Sequence, residues 1–285
     1  MHAKTAFTML NSALPTILFF AGIVLCPLFL TGDRASYSLS PRNWPLDTPA
    51  AQAGLVEEAL AYLGDPAMIG AWAFLAVALV LGACGGAKLG CRDRRASLWY
   101  LLNGAFIHVA MDGLTGGYHM LPLMDAHYRQ LDNRCNDDVS HAAGGPSEDA
   151  VATATVVFRV ELFVMAPLCL LTYLAFRGCS LGLGLAAMRP ELEITTLLFQ
   201  ICGTIWFVGP ELLTGCKNMV PIGAEGCTTV GTKPYELMYF WFAVGVNVVW
   251  IVVPLLMLRH AVKQNVSMRT GPAAGARKGG KSKRA

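Results

Sequence analysis

The chain has 285 residues, of which 54% are hydrophobic and only 14% charged, with a formal net charge of +3 and a mean hydropathy of +0.48. That balance excludes a soluble enzyme, a nucleic-acid binder and a disulfide-stapled secreted module, because a single water-soluble core has no room for so much apolar surface. The lipid bilayer is the solvent that the composition predicts.

Six apolar runs follow one another, over residues 10–30, 67–87, 98–121, 152–176, 194–213 and 237–258. Each is long enough to cross a hydrocarbon core of ~30 Å as a helix. The first, behind Lys4, resembles a cleavable signal, but no clear small-x-small site follows it, and it is read as a retained span. Two longer loops, 31–66 and 122–151, are rich in Asp, Glu, Gly and Pro, while the connections 91–97 and 178–193 are shorter. The expectation is an all-α, polytopic transmembrane helix bundle without internal repeats.

Lys and Arg set the orientation. With the N-terminus in the cytosol, 15 of them fall on that side, eight from Arg259 onward, against six on the other, with Arg159 inside a span. Both termini are therefore expected to be cytosolic. Cys26, Cys84, Cys169 and Cys202 fall within spans as small apolar side chains, and Cys91 and Cys179 lie on the reducing side. Cys135, Cys216 and Cys227 are lumenal, where Cys216 with Cys227 would close a short loop and leave Cys135 unpaired. No Cys or His pair has zinc spacing, so no metal is assigned.

Ionisable groups in mid-bilayer carry the functional signal, since each costs free energy unless it is paired or faces a polar cavity. His108 and Asp112 stand four apart on one helical face of the third run, Glu161 and Arg159 lie in the fourth, and Asn247 and Trp250 share a face of the sixth. At ~1.5 Å of rise per residue, His108, Glu161 and Asn247 all lie about 14–15 Å deep. Asn247 alone is explained equally well as a packing hydrogen bond between helices. Two carboxylates, at roughly 5–7 kcal/mol together, point to a site, and an imidazole beside them makes a proton donor and acceptor pair. Arg159 either pairs with a membrane carboxylate or reaches toward the lumenal face. Glu211 reads as an interfacial, solvated glutamate, and His119 and His127 as lumenal loop residues. Trp72, Trp99, Trp206 and Trp241 read as interface anchors or packing.

These segments also carry a family resemblance. The stretch Trp99-Tyr-Leu-Leu-Asn-Gly-Ala-Phe-Ile-His108-Val-Ala-Met-Asp112-Gly113 resembles the Phe-Ile-His, three residues, Glu-Gly pattern of the emopamil-binding protein family, the sterol delta-8, delta-7 isomerases. Tyr239-Phe-Trp-Phe through Asn247-Val-Val-Trp250 and Pro254 is similar to that family's last helix. Glu161 falls at its membrane glutamate, Pro167-Leu168 resembles a motif downstream of it, and Gln200, Ile201 and Gly203 match its fourth helix. The sequence departs from the pattern at Asp112, one methylene shorter than the family glutamate, and at Thr204, where an aspartate is expected; Glu211, preceded by Pro210, is either a match to a family glutamate near the lumenal end or, as the preferred reading, interfacial and solvated.

The resemblance implies a five-helix sterol-isomerase core over residues 66–263, preceded by one extra helix and a lumenal loop (1–65) and followed by a basic cytosolic tail (264–285). It implies protonation of a sterol at carbon 9 and proton loss from carbon 7 through a cation at carbon 8. His108 and Glu161 would be donor and acceptor in an order that the sequence does not assign. Asp112 would orient or charge-balance His108, Asn247 would hydrogen-bond the proton-holding group, and the Trp250 ring would stabilise the cation. Gln200 and Tyr239 would join Trp250 in binding the substrate. No cofactor is needed for general acid–base work. The expected partners are a sterol, cationic amphiphilic amines as inhibitors and the lipid bilayer, with no nucleic acid; homodimerisation is left open. The alternatives are a non-catalytic sterol- or amphiphile-binding relative and a small unrelated transporter, the latter weakened by the lack of a repeat. The ending Lys281-Ser-Lys283-Arg-Ala resembles a dilysine signal for the endoplasmic reticulum, or else is a basic tail drawn to anionic lipid.

Overall fold

Apolar helices joined by charged turns pack so that small and polar faces meet and the greasiest faces point outward. A computed structural model describes residues 13–24, 60, 63–84, 89–122, 124–125, 132–135, 147–178, 184–215 and 246–270. The expectations for Tyr239, His127, Trp241, Cys26, Cys216, Cys227 and the tail lysines fall outside these residues. Six helices follow in order: α1 (Ala13–Val24), α2 (Pro66–Cys84), α3 (Cys91–Leu102, continuing in π register over Asn103–Gly117), α4 (Glu148–Phe176), α5 (Arg189–Leu213) and α6 (Val246–Thr270). A short 3₁₀ turn, Asn133–Cys135, precedes α4, and the fold is all-helical. By length and composition α4, α5 and α6 are each able to cross a membrane, and α1 and α2 contain shorter apolar stretches.

The burial pattern is that of a protein dissolved in lipid. Asn103, His108, Thr115, Thr172, Thr196, Gln200 and Glu211 are buried, whereas Leu18, Val80, Val156, Phe163, Trp206 and Leu256 are exposed. Polar groups inside satisfy one another because hydrocarbon cannot satisfy them. Thr172 of α4 and Thr196 of α5, for instance, bring their hydroxyls within 2.9 Å, so that one donates to the other while that partner donates to a carbonyl of its own helix.

Helix ends differ from the sequence reading in several places, among them α6, which continues to Thr270 although its apolar run ends at 258. The connection expected over 91–97 is already helical, because the charged turn Arg92–Arg95 extends α3 past the apolar run and buries Arg94. Arg94 donates to the Gly82 carbonyl at 2.6 Å, and Arg177 donates to the Leu81 carbonyl at 2.8 Å. Two cations thus satisfy the open carbonyls at the end of α2. Helix α5 starts at Arg189 rather than at 194, with Pro190 in its first turn. Its Arg189 pairs with Asp93 at 2.8 Å and lies 3.7 Å over the Phe176 ring, so one side chain ties α5 to both α3 and α4. At the other end of α4, the Ser147 side chain accepts from the Ala150 amide, and Glu148 and Asp149 occupy the first turn.

The π run of α3 is far longer than the single turn in which that geometry is usually found. Its register shows in Thr115, whose hydroxyl donates five residues back to the Ala110 carbonyl at 2.9 Å. Along this run α3 lies against α4, which has its own π turn at Glu161–Met165. Gly113 permits the approach: a Cβ there would sit 2.7 Å from Leu162 Cδ1 and 2.8 Å from the His108 carbonyl oxygen. Gly113→Val is therefore expected to lower stability by about 1–3 kcal/mol through overpacking. Gly70→Ala, where nothing lies within 4 Å, is the matched control. Thermal unfolding in detergent or nanodiscs compares the two, and equal midpoints would refute the close-packing account.

Candidate functional site

The close contact between α3 and α4 brings together the ionisable groups that the sequence singled out. His108, 3% exposed, lies in the π run of α3, and Glu161 opens the π turn of α4. The Nδ1 of His108 stands 2.5 Å from Oε2 of Glu161 and 3.6 Å from Oδ2 of Asp112. The first is a close ion-pair contact, in which the two atoms are not aligned as a hydrogen bond. The opposite nitrogen, Nε2, is buried and has no partner in full hydrogen-bond geometry among the described residues, and the ring also interacts with Cys169 of α4. The imidazole thus stands between carboxylates and a thiol.

Space for the Glu161 carboxylate comes from α5. At Gly203 a Cβ would lie 2.9 Å from Oε1 of Glu161, so any side chain at this position would press on the carboxylate. Glu161 is therefore held between α3 and α5, its two oxygens facing different helices.

His108, Asp112 and Glu161 each offer one ligand atom, all within 4.8 Å of one another, which is a donor set that a divalent ion can use. Two ligands bound to one ion at ~2.1 Å stand about 3–3.5 Å apart. The 2.5 Å approach of Nδ1 to Oε2 is too short for that. The cluster would have to open before it took a metal.

A second group of polar contacts lies toward the other end of α3. Trp250 of α6 donates its indole N–H to Oδ1 of Asn103 at 2.6 Å, and Asn103 donates to the Trp99 carbonyl at 2.8 Å. Trp99 donates to Oε1 of Gln200 at 3.2 Å, and the Gln200 amide approaches Sγ of buried Cys169 at 3.6 Å. Trp250 and Gln200 therefore meet through α3. Asn247 is half-buried, one turn before Trp250. Trp99 is buried and hydrogen-bonded rather than an interfacial anchor, because the packing of α5 against α3 brings Gln200 to its N–H.

Three side chains depart from, or go beyond, the sequence reading. Asn103 is fully buried and holds Trp250, yet carried no expectation of its own; its signal was a polar residue within an apolar run, five positions before His108. Glu211 is not solvated. It is 2% exposed and lies 3.6 Å from the Arg134 guanidinium, because the turn before α4 folds back over the end of α5. Arg159 lies on an exposed face of α4, away from the buried cluster. His119 lies just past the end of α3 at Gly117, where its ring approaches Asp125 at 2.5 Å.

Residues 135–261 match the family model of EBP, the EXPERA (EXPanded EBP superfamily) domain. This part of the chain is similar to an EXPERA domain. Glu161, Gln200, Gly203, Asn247 and Trp250 fall inside the matched segment of the EBP superfamily, and His108 and Asp112 precede it. No curated protein and no solved structure matches the chain.

Proposed function

We propose that this EXPERA protein is a sterol delta-8 to delta-7 isomerase that moves a ring double bond by acid–base proton transfer. The observation that carries this reading is the contact of buried His108 with half-buried Glu161, 2.5 Å apart, inside the helix bundle. An imidazole and a carboxylate brought together away from bulk water are suited to holding and passing a proton. Protonation at carbon 9 leaves a cation at carbon 8, and loss of the carbon 7 proton completes the shift. One of His108 and Glu161 donates the proton to carbon 9 and the other takes the proton lost from carbon 7, and transfer between them resets the pair. Asp112, near the same nitrogen, balances the imidazolium charge, and Asn247 lies on the helix that presents Trp250. The Trp250 ring stabilises the cation, held at its indole edge by Asn103. Gln200 and Tyr239 complete the sterol-binding set.

Proton transfer of this kind draws on no nucleotide, flavin or metal. We assign residues 66–263 to the isomerase unit, the protein to the endoplasmic-reticulum membrane on its resemblance to the sterol isomerases, and the basic segment 264–285 to the cytosol. Hydrophobic amines are the expected inhibitors, since an ammonium mimics the carbocation.

Turnover of a delta-8 sterol in deuterated water tests the reading. The incoming proton comes from an exchangeable side chain, so deuterium is expected at carbon 9 of the delta-7 product. Product free of solvent label would remove the protonation mechanism. Sterol binding without any product would select the non-catalytic alternative, which the shorter carboxylate of Asp112 favours.

A further inference from the structure

Trp99 and Trp250 each commit the indole N–H to a polar partner, so their remaining contacts are made through the rings. The third ring of this group comes from α1, which lies outside the matched EXPERA segment. Phe19 is 5.8 Å from the Trp250 ring and 6.0 Å from the Trp99 ring, and the two tryptophans are 6.1 Å apart. The three rings form a closed triangle. Phe20, fully buried, stands edge-on to Phe19 at 5.4 Å and to Trp99 at 5.8 Å.

The docking of α1 is specific. Its buried stripe of Ala13, Ile17, Phe20 and Val24 repeats at helical spacing, and at Gly82 of α2 a Cβ would lie 3.2 Å from that of Ala13. The helix is thus seated by a continuous apolar face, and Phe19 flanks that face on the side of the tryptophans.

We propose that Phe19 is a positioning residue that sets the angle of the Trp250 ring, and that α1 thereby contributes to the choice of cationic over neutral ligands. This rests on the reading above that Trp250 offers its ring to a cation. An indole pinned at one edge by Asn103 still rocks about that hydrogen bond, and the rings of Phe19 and Trp99 remove this freedom. Attraction of a cation depends on its lying over the ring, whereas apolar contact with a neutral sterol tolerates a change of tilt.

The test uses the full chain in nanodiscs, with a sterol-sized hydrophobic tertiary amine and a neutral sterol as competing probes. Phe19→Ala is expected to weaken the amine about fivefold and the neutral sterol less than about twofold, as loss of an aromatic pair implies. Phe19→Tyr restores amine affinity. Phe19→Leu keeps the apolar bulk, so it is expected to melt with the parent protein and still lose amine selectivity. In a Trp250→Leu background, Phe19→Ala is expected to cost nothing more, because coupled residues are not additive. Equal losses for both probes, or full additivity with Trp250→Leu, would overturn the positioning role and leave the Trp250 reading standing. Unchanged amine affinity in Trp250→Leu alone would overturn both.

Discussion

Glu161→Gln and His108→Ala are each expected to slow double-bond migration by about 10²–10⁴, the range over which a positioned acid or base contributes. The glutamine keeps the shape of Glu161 beside Gly203 but cannot take up a proton. The alanine removes the imidazole that Glu161 engages. Because the pair acts as a unit, the double variant is expected to lose little more than either single one. Asp112→Glu is expected to retain activity, since the longer side chain extends a carboxylate that now stands 3.6 Å from Nδ1. Sterol turnover in membranes, normalised to the amount of inserted protein, reads these effects. Full activity in both His108→Ala and Glu161→Gln would move the chemistry elsewhere in the molecule.

Arg134→Met is expected to cost stability rather than catalysis, by about 3–5 kcal/mol. Arg134 is 1% exposed, holds both oxygens of Asp132, donates to the Phe207 carbonyl at 2.9 Å and lies 4.4 Å over the Phe207 ring. Burial works against its charge, but the carboxylates of Asp132 and Glu211 outweigh burial and hold the guanidinium above its ordinary pKa. Methionine fills similar space and leaves both carboxylates buried without a cation. Removing one partner of such a group is far more costly than never having built it. A fall in the melting midpoint on the order of 10 °C is expected for a chain of this size. Arg159→Met, on an exposed face of α4, is expected to change stability by no more than about 0.5 kcal/mol. Similar small shifts for both variants would mean that the Arg134 group is solvated.

Composition alone determined that this protein lives in a bilayer, since no arrangement in water hides so many apolar side chains. Run lengths determined the helical count and order. The cost of burying charge singled out His108, Asp112 and Glu161, because that penalty belongs to the residue type and its depth, both of which are legible in one dimension. The tertiary structure decided which of the singled-out groups meet. An ideal α-helix carries Asn247 to the same depth as His108, but depth says nothing of rotation about the helix axis. The π register beginning at Asn103, set by packing against α4, determines where the imidazole points. Glycine at 113 reads in sequence as a weak helix former and proves to be the contact that lets Leu162 and Glu161 approach. Arg134 and Glu211 are 77 residues apart and read as ordinary surface charges until the turn before α4 folds over the end of α5 and removes the water from both. Which groups share a level follows from chain length, whereas which groups touch follows from the crossing and rotation of helices, and only packed side chains determine those.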